Sequence, residues 1–585
     1  MMKSTLISAG AAWVALWMAA CIQGGGSQPQ QVAAADWVLT GGRFFTVDDR
    51  QPWAEAVAIK DGKFVYVGSD AGAAALVAPS TRRTDLAGRL VLPGIVDGHT
   101  HPGYINLERY GAELPQTNPE EFFSAIKEYA DSHPDEEWIR LCCWPNAWYV
   151  SGKEGPHKEE LDAVVPDRPV WITAEAWHSS WLNSAGLEKI GVGRDTKDPQ
   201  PGVAVYYRDE DGELTGWVKE GAGWQHFARQ FPTDPEFHQT SIVAFLNTLS
   251  EHGVTTVYDG GNMGYDDEVY DFLSQLDKAG QLPLRYEGTY QIYVPERRDR
   301  AVAEMKRFRK QYGGRRLHFN TIKLFMDGVN ENRTGALLEP YSDNPDYVGN
   351  TMLSVEELRD FLVELHAEKF DIHIHTIGDM AARRVLDAVE AAKEQVGATF
   401  YPRVTVSHME LIDSADYLRF AELGIIVNFT PWWSAVDVGS VVTPAFGAER
   451  MSRTYIAKPL FDSGALVTFS SDDWFLEYLS PFLGMEVGHN RQYPREWLED
   501  GDDPSAYRLP ETEKLDLELL VSGYTINGAH QFRMENQIGS IETGKLADLV
   551  VLDDDLFQMN RYEIHHIKPS AVMMEGELIQ GELPN

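Results

Sequence analysis

Eight short apolar runs, spaced along the middle of the chain, constrain the fold more than any other feature. They begin with "LVLPGIVDGHTH" from Leu90, "GVTTVYDGG" from Gly253, "LRYEGTYQI" from Leu284 and "LHFNTIKLFMDG" from Leu317. "FDIHIHTIGD" from Phe370, "RVTVSHMEL" from Arg403, "IIVNFTP" from Ile425 and "LVTFSSDDW" from Leu466 complete the set. Between several of them lie helix-patterned stretches such as "SVEELRDFLVELHAEK" and "MAARRVLDAVEAAKEQ". The first opens with Ser354 and carries Glu357 three residues later, the spacing of a capping box. Strands that alternate with helices pair in parallel, and eight such units predict an α/β fold of the (β/α)8 TIM-barrel type.

At 585 residues the chain is too long for one core. Near the N-terminus, "ADWVLTGGRFFTVDD" and "AEAVAIKDGKFVYVGSD" read as short strands joined at Gly-rich turns. "GSIETGKLADLVVLDDDLF" and "AVMMEGELI" have the same character near the C-terminus. Residues 36–90 and 536–585 are therefore expected to build one small β-sandwich domain from both ends of the chain, with the barrel spanning 91–535. Residues 108–237 are too many for a loop and are read as an insertion after the first barrel strand. It holds a helix candidate capped by Asn118, with Pro119 at its first position, and many tryptophans. These either roof the barrel mouth or form an ordinary subdomain core. Cys142 and Cys143 are adjacent and are expected as buried, inert thiols, since neighbouring cysteines rarely bridge.

A net charge of −38 disfavours nucleic acid and anionic membrane surfaces as partners. Residues 1–21 read as an export signal: Lys3, an apolar run, and Met18-Ala19-Ala20-Cys21, which has the form of a bacterial lipoprotein box. Residues 22–35 read as a flexible tether. The expectation is an exported bacterial protein, either lipid-anchored to the membrane through Cys21 or released to the periplasm.

In a parallel barrel, chemistry collects where strands end. His99 and His101 lie two residues apart on an extended run, so both point to one face. Lys323 lies in the fourth run, with Asp327 just beyond; His375 ends the fifth, His408 the sixth, and Asp472 and Asp473 the eighth. A lysine in apolar "TIKLFM" needs a partner such as Asp327 or Asp472, or neutralisation.

With "AWHSSWLNSAGL", "RDEDGELTGWVKE", "IKLFMDGVNENRTGALLEPY", "HTIGDMAARRVLDAV" and the C-terminal "GSIETGKLADLVVLD", this set resembles the metal-dependent amidohydrolase superfamily. More narrowly it resembles the YtcJ-like branch (amidohydrolase family 3), which includes N-substituted formamide deformylases. The resemblance implies that His99, His101, His375 and His408 bind one or two divalent ions, usually zinc, together with Asp472. It also implies that Lys323 is carboxylated and bridges two metals, with one metal and an unmodified lysine as the alternative. Asp473 competes with Asp472, which the "SSD" alignment favours.

Zinc with an open position brings water to a pKa of about 7, and Asp472 would shuttle the proton to the leaving nitrogen. Asp97 or Asp379 could orient the histidines from behind. His178 is a candidate contact for the substrate or its oxyanion. Arg333 either binds a substrate carboxylate or ties down its loop. Trp432, Trp433 and Trp474, after the seventh and eighth strands, suggest an apolar or aromatic substrate portion. The implied reaction on a small-molecule substrate is hydrolysis of a linear amide or N-formyl bond. Cyclic amide, carbamate or ester cleavage and deamination are alternatives, and a binding protein with a decayed site lies outside that class. A homodimer is compatible with the resemblance.

Overall fold

The computed structural model describes residues 34–584 apart from 105–111, 113, 117, 146–147, 149–154, 436–441, 474, 499–507 and 509. The expectations for the leader, for Cys21 and for Trp474 fall outside the described residues. Among the described residues no helix is long and apolar enough to cross a membrane.

Both chain ends contribute to two sheets that share a core. A four-stranded sheet runs in the order Lys63–Gly68, Ala56–Lys60, Trp37–Thr40, Arg82–Asp85. A six-stranded sheet runs Glu577–Gly581, Pro569–Met574, Leu549–Leu552, Leu90–Pro93, Arg43–Phe45, Trp53–Ala54. The period of two along its central strands explains their continuous apolar character. Val91, Leu549 and Val551 face the core shared by the two sheets, whereas Leu90, Leu92, Val550 and Leu552 join the main core of the molecule.

The run "LVLPGIVDGHTH", read as one extended segment, is two strands, Leu90–Pro93 and Ile95–Thr100, in different sheets. Gly94 divides them, because a side chain there has no room. A Cβ would lie 2.6 Å from Thr255 Oγ1 and 2.8 Å from Asp548 Cβ.

The remaining runs form parallel sheets. One has the order Leu317–His318, Arg285–Glu287, Val254–Asp259, Ile95–Thr100. The other runs Gln291–Ile292, Thr321–Phe325, Asp371–Thr376, Val404–His408, Ile426–Phe429, Leu466–Phe469, again parallel throughout. The third and fourth runs are each broken into two pieces, one piece in each sheet. At the break the buried Glu287 carboxylate takes the backbone N–H groups of Asn320 and Thr321 in place of a ladder partner. On the far side, Asp472 N donates to His99 O at 2.8 Å, joining the end of the last strand to the first.

Between parallel strands lie helices such as Val355–Glu368, which begins with the Ser354/Glu357 capping box and buries Leu358, Phe361, Leu362 and Leu365. Asp379–Val396 follows the strand that carries His375.

The insertion has its own five-stranded sheet, ordered Val205–Arg208, Leu214–Lys219, Ser179–Leu182, Val170–Ala174, Ile139–Trp144. Trp144, Trp181 and Trp217 fill its core. Trp177 and Trp224 instead line the cavity described below. Cys142 and Cys143 are joined by a disulfide, which corrects the expectation of free thiols. The pairing slips there, with Thr173 opposite Cys142 and Ala174 opposite Trp144. The bulge releases Cys143 from the alternation that would send adjacent side chains to opposite faces.

Arg285, at the base of the parallel strands, donates to Asp548 Oδ2 at 2.5 Å and to Glu575 Oε1 at 3.0 Å, fastening them to the terminal sheet. The side chains of Arg285 and Asp548 are only 4% and 2% exposed. Arg285→Ala leaves the buried Asp548 without its cation, with the Glu575 N–H still donating to it. The expected loss is about 3–5 kcal/mol of unfolding free energy, read as a lower midpoint in urea unfolding followed by fluorescence.

Candidate active site

Strand ends supply the site, and the alternation of side chains aims them. Ile95–Thr100 carries His99 one residue from its end, with His101 immediately beyond; their ring centroids are 5.2 Å apart and both residues are buried. Asp472, just past Leu466–Phe469, meets them. Its Oδ1 lies 3.4 Å from His99 Nε2 and 3.3 Å from His101 Nε2, and its Oδ2 lies 3.0 Å from His408 Nδ1. His408 and Asp472 both have left-handed backbone, with φ of 75° and 46°. Non-glycine residues pay for that conformation, and it is common where a site dictates side-chain direction.

Burial opposes ionisation of Asp472, but the neighbouring His99 and His408 hold it well below the usual carboxylate range. Burial pushes His99 and His375 well below the ordinary imidazole value and His408 down to about 4. Neutral imidazoles around an anionic carboxylate are the protonation states that a metal ion requires of its ligands.

His375 stacks on Phe325 at 4.6 Å between centroids and lies 4.4 Å from the His408 ring. Lys323 is fully buried, with Nζ 2.9 Å from His99 Nε2. Burial draws its pKa down to about 7, against the pull of Asp472 and Asp259. Asp327 is not its partner: that carboxylate accepts the backbone N–H groups of Ala336, Ile377 and Gly378, each at 2.9 Å.

The outer partners differ from those expected. Asp97 accepts His99 N at 3.1 Å and Ser471 Oγ at 2.7 Å, so it couples the first strand to the Asp472 turn and leaves the imidazoles alone. Asp379 accepts Leu338 N at 2.8 Å. The role behind His99 falls to His373, whose Nε2 lies 2.8 Å from His99 Nδ1 and whose ring stacks on Tyr258. "DIHIHT" repeats the His-x-His spacing of the first strand and carries the signal for it. Asp473 accepts Phe475 N at 2.7 Å.

A cavity of about 450 Å³ opens from this cluster. His101, Lys323, His375, His408 and Asp472 line one end, and Trp177, Trp224, Trp432, Trp433 and Tyr478 line the walls. Trp433 lies near parallel to the His408 ring, and Trp432 Nε1 donates to Ser471 O at 2.9 Å. His178 reaches the cavity from the insertion, and its Nδ1 lies 2.5 Å from Glu220 Oε2. Burial opposes protonation of His178, yet Glu220 overrides it and raises the pKa. Glu220, at the end of "GWVKE", was not singled out from the sequence. Its other oxygen accepts Thr334 Oγ1 at 2.6 Å, bridging the insertion to the loop after Thr321–Phe325.

Arg333 is not among the residues that line the cavity. It bonds to the Asp343 carboxylate and to the carbonyls of Asn330 and Glu331, and so secures its own loop.

The cluster suits a divalent cation. Donor atoms of His99, His408 and Asp472 lie within 4.8 Å of one another. His408 Nδ1 is buried and makes no well-directed hydrogen bond despite its closeness to Asp472. Imidazole and carboxylate donors match zinc and similar ions.

The sequence profile of the amidohydrolase family matches residues 83–580. The chain belongs to the amidohydrolase family. It is an enzyme, a metal-dependent amidohydrolase. It is 26% identical to the putative amidohydrolase YtcJ of Bacillus subtilis over 550 residues, covering 92% of this chain and 98% of that one. It is 24% identical to the N-substituted formamide deformylase of Arthrobacter pascens over 558 residues, covering 93% and 98%. In fold it is similar to an uncharacterised metal-dependent hydrolase from Pyrococcus horikoshii, with a TM-score of 0.66 over 90% of this chain and 99% of that one, at 24% identity.

Glu220→Gln in this amidohydrolase removes the charge that raises the His178 pKa. The His178 titration midpoint, followed by imidazole NMR, is expected to move to lower pH. An unmoved midpoint would show that Glu220 does not control this imidazole.

Proposed function

We propose that this amidohydrolase cleaves a linear carbon–nitrogen bond in an N-formyl or other N-acyl amine bearing an aromatic or apolar group. The observation that carries this reading is the placement of the Asp472 carboxylate. It stands among His99, His101 and His408, at the end of a cavity walled by tryptophans. The similarity to a formamide deformylase over most of both chains supports the choice of bond.

His99, His101, His375, His408 and Asp472 would hold the ion, which we take to be zinc. When bound, it supplies Lewis acidity to a carbonyl oxygen and acidifies water. The other steps belong to the chain itself. Asp472 accepts a proton on its carboxylate and delivers it to the departing nitrogen, a role typically worth about 10²–10⁴-fold. His178, whose protonated form Glu220 favours, donates from Nε2 to the carbonyl oxygen as negative charge grows there. Trp432 and Trp433 pack against the apolar part of the substrate and exclude water.

Lys323, a buried amine whose pKa falls to about 7, is suited to react with carbon dioxide through its neutral form. The resulting carbamate would be an anionic ligand in place of a costly buried ammonium. Supporting this, Lys323 and His99 are in contact and Asp327 is fully engaged elsewhere.

We also read the two parallel sheets as one closed (β/α)8 barrel, supported by the link from Asp472 N to His99 O. The two terminal sheets are read as a β-sandwich, supported by their shared core. Export, as the leader sequence suggests, fits this assignment.

Two expectations test the mechanism. His99→Ala should lose bound metal by more than the roughly 10–100-fold that an outer-shell change costs, and should lose turnover with it. The measurements are elemental analysis and assay against N-formyl and N-acyl arylamines, with cyclic amides and aminopurines as the competing panel. Turnover that persists without metal would refute the reading. Lys323→Ala should be inactive and regain activity with millimolar formate or acetate. Absence of rescue while metal stays bound would favour an unmodified lysine.

A further inference from the structure

A second convergence of ligand atoms lies away from the catalytic cluster, where the turn Arg495–Trp497 meets the turn Ile564–His566. Donor atoms of Glu496, His565 and His566 lie within 4.8 Å of one another. His565 Nε2 is 2.9 Å from Glu496 Oε1, and His566 Nε2 is 3.4 Å from Glu496 Oε2. Behind them, the buried Glu486 on helix Pro481–Asn490 accepts His565 Nδ1 at 2.6 Å and His565 N at 3.0 Å. A carboxylate bonded to one imidazole nitrogen fixes the tautomer and turns the other nitrogen's lone pair outward, the usual outer-shell arrangement of a histidine ligand.

We propose that Glu496, His565 and His566 form a second divalent-cation site, of zinc type, with Glu486 orienting His565. A proton shared between His565 and the two carboxylates would satisfy His565 alone. It leaves His566 as a separate ion pair on the same carboxylate, whereas a single cation accounts for the convergence of all three donors on one point. One cation uses all three donors and leaves a fourth position for water.

The site has a mechanical consequence for the cavity. Trp497, next to Glu496, packs on Tyr478 at 5.8 Å and on Tyr493 at 6.3 Å between ring centroids, and both tyrosines line the cavity. An ion at Glu496 therefore pins one cavity wall to the C-terminal segment. It is distinct from the catalytic ion and does not depend on the reaction proposed above.

The test uses the holoenzyme with its catalytic metal in place, titrated calorimetrically with Zn²⁺ while its thermal midpoint is followed. Wild type should take up one further zinc per chain, with a rise in midpoint. Glu496 and His566 are half exposed at the surface, so Glu496→Gln and His566→Ala should fold and keep the zinc-free midpoint. Each should weaken the added zinc by at least about 10-fold and flatten the thermal response. The proposal is overturned if wild type binds no further zinc, or if both variants bind it as wild type does.

Discussion

Asp472 sets the central constraint on this molecule. A carboxylate with almost no exposure is costly unless its charge is met at short range. Here imidazoles from the first and sixth runs crowd it at 3.0–3.4 Å, a donor set that a cation would complete, and those runs are distant in sequence and adjacent only when the parallel strands stand side by side. The backbone at His408 and Asp472 enters the left-handed region to aim these side chains. The packing of the surrounding strands sustains that cost. Close approach is also enforced at Gly260, where a Cβ would lie 2.7 Å from His99 Nε2 and 2.4 Å from His101 Cε1. Fold and site are thus one problem: the strand ends must meet for the charge to be tolerable.

The terminal sheets are part of the same construction. Leu549–Leu552 and Leu90–Pro93 are apolar on both faces because each has a core on both sides, one against the four-stranded sheet and one against the parallel strands. Gly94 lets the chain pass from one sheet to the other within a residue, and Arg285 ties the parallel strands to Asp548. The position of His99 therefore inherits its precision from a sheet that carries no chemistry.

Much of this was legible in the sequence, for identifiable reasons. Strand alternation puts His99 and His101 on one face whatever the rest of the chain does, and the runs carrying Lys323, His375, His408 and Asp472 each end at a visible turn. What escaped depends on contacts between segments remote in sequence. His373 shares the spacing of the first pair, but its place behind His99 is set by strand neighbours. Glu220 has no local signature, because its partner His178 lies 42 residues away. Arg333 was ambiguous because a guanidinium after a strand can serve a ligand or its own loop. Asp343, ten residues on, holds it to the loop. The bridge between Cys142 and Cys143 ran against the alternation rule because a bulge suspends that rule locally.

The cavity is shared between two kinds of structure, and this division bears on how such an enzyme changes substrate. The ligand atoms come from strand ends that cannot move without exposing a buried charge. Trp177, His178 and Trp224 come from the insertion, which has its own sheet and its own core. The two parts meet at Glu220, which grips His178 with one oxygen and Thr334 with the other, and at Asn332, which donates to His178 O and accepts Lys219 Nζ. Substitutions that reshape the insertion can therefore alter one wall of the cavity while the Glu220 bridge holds His178 in place. The cavity is thus lined by two separately packed elements, and the position of His178 depends on both.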